Sequence, residues 1–338
     1  MTPPRHRLPP AVLALGLALL TLLLAGLGLL AGSLGLEPLS AGWALLRGQA
    51  DPVAATVVWD IRLPRTLAAW LAGALLGMSG AIAQGVFRNP LADPYLLGSG
   101  AGANLGVALL LVALGLTPET AGLGLRLGLT GAAFVGSAAA VLLTVALARG
   151  QQQTLRLLLA GVVVSMVVGA LASLVAMRHP QILQAMQAFM LGTTSYAAWP
   201  AVSVLAAAGV VVAVAAAALA RVLDALALGE RTARSLGLPL AGAGLALVAL
   251  LALGTAAAVA QIGLVAFVGL VAPHLVRMAV RPGHAALVLL SGGMGGVLLL
   301  AADVLARTLV APQELPVGVL TALLGGGYLL WMMRRRMA

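Results

Sequence analysis

Cysteine is absent from the 338 residues, which excludes disulfides, thiolate metal sites and cysteine nucleophiles. Lysine is absent as well, since all 19 basic residues are arginine. That removes Schiff-base chemistry, lysine-dependent catalysis and the GxxxxGK(S/T) phosphate loop. The codon bias of a GC-rich genome accounts for this usage. Charge of either sign is scarce: 8% of the chain is Asp, Glu, Lys or Arg, against about 25% in soluble domains. Nine acidic and 19 basic residues cannot cover a water-facing surface of this length. What fills the chain instead is apolar, with 62% hydrophobic residues and 42 glycines. The composition specifies an all-α, polytopic membrane protein rather than two or three soluble domains.

A spanning helix needs about 20 mostly apolar residues, and a charge at mid-bilayer costs several kcal/mol. Stretches without Asp, Glu, Lys or Arg run over residues 8–36, 66–87, 94–118, 127–148, 157–177, 179–220, 235–276, 282–302 and 315–333. Two of these, 179–220 and 235–276, are long enough for two spans. Residues 179–197 carry His179, Pro180, Gln181, Gln184, Gln187 and a Thr-Thr-Ser-Tyr cluster, which suits an interfacial helix and loop ahead of one span. Residues 235–276 are apolar on both sides of Gln261–Ile262–Gly263 and split there. Both ends are basic, with Arg5 and Arg7 at the start and Arg334, Arg335 and Arg336 at the finish. The positive-inside rule then places both termini in the cytoplasm and requires an even number of spans. The expectation is ten transmembrane helices in a single domain, residues 1–338, with 221–238 as the largest cytoplasmic connection. Sorted on that topology, 13 arginines are cytoplasmic and 6 are outside, namely Arg47, Arg62, Arg65, Arg126, Arg178 and Arg307. This distribution explains most of the +10 net charge without nucleic acid.

Glycines recur at four-residue spacing, as in Gly98, Gly102 and Gly106, and crowd together at Gly292, Gly293, Gly295 and Gly296. Small residues let helix backbones approach closely where no hydrophobic force drives association. The nine acids all fall at window edges or in loops, so an ion-coupled secondary transporter, or an intramembrane enzyme, lacks the ionisable groups it needs. The energy source is expected elsewhere. The connection 221–238 sets Leu223, Leu226, Leu228 and Leu236 against Asp224, Glu230, Arg231 and Arg234, which suits either a solvated loop or a docking helix starting near Glu230. Between the second and third spans, FRNPLADPYLLGSGAG (87–102) interrupts any helix with two prolines and Asn89. It reads as a tight turn or as a constriction in a pathway.

The segments RLPR (62–65), SGAIAQGVFRNPLADPYLLG (79–98), LRLLLAG (155–161), LGERTARSLG (228–237), GLVAFVGLVAPHLVR (263–277), ADVLAR (302–307) and ELPVGVLTALLG (314–325) span nearly the whole chain. In that order they resemble the FecCD family, the permease subunits of bacterial ABC importers for iron-siderophores, haem and cobalamin. The resemblance implies a permease of the bacterial cytoplasmic membrane that is not itself an enzyme and binds no metal or cofactor. It works as a homodimer or paired permease with two ATPase subunits that carry ATP and Mg, and with a substrate-binding protein. Glu230, Ala233, Leu236 and Gly237 match the coupling helix that docks on the ATPase. Asn89, Pro90 and Leu91 match one cytoplasmic gate, and Thr154 and Leu155 the other. Arg62, Arg65 and Arg307 match outer-face positions that pair with glutamates of the binding protein. Arg178 and His179 border the outer cavity as a substrate mouth for an anionic ligand, next to a stretch (Phe189–Thr193) where many relatives carry Trp. The expected cargo is a ferric siderophore, with haem and cobalamin as alternatives.

Overall fold

The computed structural model describes residues 8–32, 35–36, 52–115, 123–148, 154–235 and 240–337. Helices account for nearly all of them. In chain order these are α1 (Pro10–Leu30), α2 (Leu63–Val86), α3 (Ser99–Leu114), α4 (Leu123–Leu147), α5 (Thr154–Arg178), α6 (Leu183–Leu191) and α7 (Trp199–Ala218). There follow α8 (Ala220–Ala227), α9 (Glu230–Ser235), α10 (Leu240–Ile262), α11 (Val268–Ala279), α12 (His284–Thr308) and α13 (Val317–Met337). A short helix (Pro52–Thr56) and a π-helical turn (Val57–Arg62) lead without a break into α2. After α1, Ala31–Gly32 and Gly35–Leu36 form a two-residue antiparallel ladder.

Among the described residues, six helices are long and apolar enough to cross a membrane: Pro10–Leu30, Pro52–Val86, Leu159–Arg178, Trp199–Ala218, Gly242–Ile262 and His284–Thr308. Four shorter apolar helices accompany them: Ser99–Leu114, Gly131–Leu147, Val268–Ala279 and Val317–Met332. The basal end of the bundle is where α1 begins, with Leu8 N–H bonded to the Ala279 carbonyl at the close of α11. The distal end is where α1 finishes, with the Gly28 and Leu29 carbonyls bonded by Arg307 and Arg62.

The α2–α12 pair forms the centre, and glycine sets its spacing. A Cβ at Gly73 would lie 2.7 Å from the Leu299 Cβ and 2.9 Å from the Gly295 carbonyl carbon. One at Gly77 would lie 2.9 Å from the Ser291 carbonyl carbon. On the adjoining face, a Cβ at Gly80 would fall 2.5 Å from the carbonyl carbon of Gly269 in α11, and nearer still to its oxygen. A second contact of this kind joins α3 to α4, where Gly102 and Gly136 face each other. Apolar side chains gain little from leaving lipid for protein, so close backbone contact of this sort is what holds the helices together. By contrast α1 lies at the periphery, with Leu15, Leu19, Leu22 and Leu23 exposed.

The window 235–276 breaks where its polar triplet lies. Helix α10 ends at Ile262, and Gly263 turns the chain with φ +72°. Residues 263–267 then run non-helically inside the protein, and their polar backbone is met by a segment distant in sequence. Leu264 N–H bonds to the Phe189 carbonyl at 2.9 Å, and Thr193 N–H to the Ile262 carbonyl at 2.8 Å. Irregular backbone is tolerated at membrane depth only under such cover.

Candidate functional site

Four charged side chains converge at the distal end. Asp303, on the inner face of α12, is fully buried. It accepts from Arg65 Nε at 3.2 Å, from Arg307 Nη2 one turn later on the same helix, and from Thr194 Oγ1. Arg65 Nη1 bridges both carboxylate oxygens of Glu314, at 2.9 and 2.8 Å. Ser195 Oγ donates to Glu314 Oε2 at 2.8 Å and accepts from Thr193 Oγ1 at 3.0 Å. Arg307 also donates through Nη1 to the Gly28 carbonyl at 2.9 Å, while its buried Nε has no partner. The cluster therefore ties together α1, α2, α12, the turn after α6 and the strand of chain entering α13. Two guanidinium cations meet two carboxylates, and this neutrality is what permits charge inside an apolar bundle.

Two expectations are corrected by this cluster. Asp303, at the edge of the window 282–302, does not mark the end of the helix: α12 runs on to Thr308 and carries both Asp303 and Arg307 within it. Nor are all three outer arginines surface cations, because Arg65 is 7% and Arg307 1% exposed. Their charges are already engaged within the chain. Arg62 is the most accessible of the three, half-buried, with Nη1 donating to the Leu29 carbonyl at 3.0 Å.

At the basal end, the segment after α2 is fastened at each step. Asn89 N–H reaches back to the Gln84 carbonyl and Arg88 N–H to the Gly85 carbonyl, a Schellman ending in which Arg88 occupies the left-handed position at φ +49°. Asn89 Oδ1 accepts from Leu91 N–H at 2.9 Å, and Asp93 Oδ1 caps Tyr95 N–H at 2.8 Å. Beyond it, Pro94–Leu97 forms a 3₁₀ turn held by Thr144 Oγ1 on the Leu97 carbonyl at 2.9 Å. Asn89 is half-buried, and Pro90 and Leu91 are exposed. Gln84 locks α2 to α11, donating to the Leu270 carbonyl at 3.3 Å and accepting from Arg277. Thr154 and Leu155 lie in the first turn of α5, the helix that flanks the Pro94–Leu97 turn; the placement of their side chains lies outside the described residues.

The basal connection folds as two short helices, α8 and α9, with Gly229 (φ +107°) between them. Helix α9 starts at Glu230. Ala233 is fully buried against its own chain. Leu236 and Gly237 lie outside the described residues, as does the side chain of Glu230. Leu223 is fully buried and sits against Gly85 of α2. Asp224 Oδ1 accepts from both the backbone N–H (3.1 Å) and Nδ1 (2.7 Å) of His284, the first residue of α12. Partial burial pushes the Asp224 carboxyl up, but the His284 hydrogen bonds and charge outweigh it and hold the pKa below its ordinary 3.8. The carboxylate's share of the tie is present above about pH 3.8 and is lost as pH falls through the lowered value. Asp224→Asn is expected to speed amide hydrogen exchange across 220–227 several-fold at pH 7, whereas Leu228→Ala, at an exposed position, leaves it unchanged.

Arg178 is exposed in the last turn of α5, and the adjacent His179 is half-buried with Nδ1 3.4 Å from Gln181 Nε2. Among the described residues, no three His, Asp or Glu side chains converge as a metal site would require.

The sequence pattern of the FecCD transport family matches residues 18–335, which takes in both clusters and the basal helices. This chain belongs to that family. The hemin transport system permease protein HmuU of Yersinia pestis is 41% identical over 82% of this chain and 84% of its own. The vitamin B12 import system permease protein BtuC of Escherichia coli O6:H1 is 38% identical over 88% of this chain and 90% of its own. A solved structure of an inward-facing metal-chelate type ABC transporter matches with a TM-score of 0.82 at 28% identity, covering 97% of this chain and 100% of that one. The FecCD chain is accordingly a multi-pass membrane protein. Sequence reasoning missed Asp303, Glu314, Thr194, Ser195 and Gln84 as members of its polar ties. The i, i+4 spacing of Asp303 and Arg307 was the available signal, since it places opposite charges on one helix face.

Proposed function

We propose that this FecCD chain is the membrane-spanning permease subunit of an ATP-driven importer that moves a ferric siderophore or related metal chelate into the cytoplasm. Haem or cobalamin is the alternative cargo on the same machinery. The observation that carries this reading is the family match, which runs without interruption from α1 into α13. On this proposal the six long and four shorter apolar helices all cross the membrane, giving ten spans, cytoplasmic termini and one permease domain over 1–338. The aromatic residues support a spanning placement, with Trp59 and Trp199 at the distal end and Trp331 at the basal end, and the arginine excess of the basal loops sets the orientation. The basal end then faces the bacterial cytoplasm and the distal end the outside.

Two copies, or this chain and a second permease, would form the pathway, with two ATPase subunits holding ATP and Mg. Helices α8 and α9 are the proposed coupling element, because Leu223 and the Asp224–His284 tie join them to α2 and α12. A push on α8 from a moving ATPase would reach those two central helices directly. Residues 89–91 follow α2 at the same end and form the proposed gate. Arg178 and His179 are the proposed mouth.

The deciding experiment is uptake in proteoliposomes containing this chain, its ATPase and its binding protein, supplied separately with a ferric siderophore, haem and cobalamin. Uptake that requires ATP supports the importer; uptake by the chain alone under a proton gradient points instead to an ion-coupled carrier. For docking, Arg62→Glu is expected to weaken binding-protein affinity roughly tenfold, a change of about 1.4 kcal/mol, without loss of folded protein. Arg307→Glu is expected to act on the fold instead, with little protein recovered, because it sets a third carboxylate in the buried cluster. Equal recovery of the two variants with equal docking would sink this division of roles.

A further inference from the structure

We infer that Glu314 is a built-in substitute for a partner's carboxylate: it occupies Arg65 while the permease is undocked, and an acidic binding protein displaces it. The inference rests on the docking reading above and adds a mechanism to it. Arg65 cannot be met from outside as a bare cation, since its side chain is 9% exposed and lies beneath Glu314, whose own side chain is 27% exposed. The distal cluster is neutral as it stands, with Arg65 and Arg307 balanced by Asp303 and Glu314. A neutral cluster capped by a carboxylate repels an approaching glutamate rather than attracting it. Exchange removes the conflict: one carboxylate leaves Arg65 as another arrives, and the charge inside is unchanged.

The geometry gives this exchange a consequence. Glu314 Oε2 also accepts from Ser195 Oγ, in the turn that links α6 to α7. The same turn is held on its inner side by Thr194 Oγ1 on Asp303. Once Glu314 swings away, Ser195 keeps only its local bonds to Thr193, and the turn loses its outer tie while the Thr194–Asp303 and Thr193–Ile262 bonds hold its inner side. The chain bearing Glu314 is itself anchored close by, through Leu315 N–H on the Ala306 carbonyl at 3.0 Å, so the motion required is that of a side chain. Docking would thereby loosen the distal turn at one end of α6, the short helix whose other end follows Arg178 and His179 in the chain.

The test uses the full-length chain in nanodiscs and its own substrate-binding protein. Because the chain has no cysteine, a nitroxide pair at Tyr196→Cys and Gln313→Cys reports the turn selectively. In the wild type a single narrow distance is expected, broadened when the binding protein docks. Glu314→Gln is expected to tighten docking about tenfold and to broaden the distance with no partner present. Ser195→Ala removes only the hydroxyl and leaves the charges in place; it should broaden the distance while leaving affinity within twofold. If Glu314→Gln leaves affinity unchanged or lowers it, or if docking leaves the distance narrow, the exchange is wrong. If Arg62→Glu leaves docking intact, the docking reading itself fails, which separates the two results.

Discussion

Asp303→Ala is expected to destabilise the folded chain by about 3–5 kcal/mol, the cost of removing one partner from a buried ion cluster. The residue is fully buried and collects three hydrogen-bond donors from three segments. Without it, Arg307 keeps only the Gly28 carbonyl, and Arg65 keeps only Glu314. A guanidinium cannot shed its proton at any accessible pH, so the uncompensated charge must be borne or the helices must part. Asp303→Asn should fall between the two, because the amide oxygen still accepts from Thr194 while the charge is lost. The control is the quadruple variant Arg65→Met, Asp303→Leu, Arg307→Met, Glu314→Gln, which removes all four charges together with their desolvation cost and is expected to recover most of the loss. Thermal unfolding in a fixed detergent, with recovery from size-exclusion chromatography, measures all of these. An Asp303→Ala variant within 1 kcal/mol of wild type would show that the cluster contributes little to the fold.

That cluster was hidden in the sequence by the logic that made the spans visible. Lipid excludes unpaired charge, so charge-free windows locate helices well: the break at Gln261–Ile262–Gly263, the separate helix and turn before α7 and the short helix starting at Glu230 were all legible. A window that stops at the first charge must, however, cut a helix wherever the charge is paired. Arg65 fell before one window, and Asp303 and Arg307 after another, although α2 and α12 contain them. Pairing belongs to the tertiary structure, because the partners Arg65 and Asp303 are 238 residues apart. A helix after the Gln261–Ile262–Gly263 break was legible too, but the shortness of α11 was not. Its 12 residues reach about 18 Å at 1.5 Å each, well short of a 30 Å hydrocarbon core. An extended run at 263–267 precedes α11, and there Leu264 N–H bonds to the Phe189 carbonyl, a partner to which no local pattern points.

Gly80→Ala is expected to cost about 2–3 kcal/mol, the upper part of the range for overpacking a close-fitted interior. On propensity alone the change would favour α2 by up to about 1 kcal/mol, so the sign decides whether contact or propensity governs. The obstacle is the Gly269 carbonyl, whose carbon would lie 2.5 Å from the new methyl. A backbone carbonyl cannot rotate away as a side chain does, so α11 must move bodily from α2 and strain the Gln84–Arg277 tie beside it. Gly16→Ala is the control: nothing lies within 4 Å of that position on peripheral α1, and the variant should be neutral or slightly more stable. The α2–α12 contact makes a sharper test. A Cβ at Gly73 strikes the Gly295 carbonyl, and a Cβ at Gly295 strikes the Gly73 carbonyl, so both substitutions demand the same separation of the same helices. Once Gly73→Ala has moved them apart, Gly295→Ala should add little, and the double variant should cost well under the sum of the singles. Strict additivity would mean that each glycine is relieved by local bending rather than by helix separation, and that the central pair is less rigid than its carbonyl contacts imply.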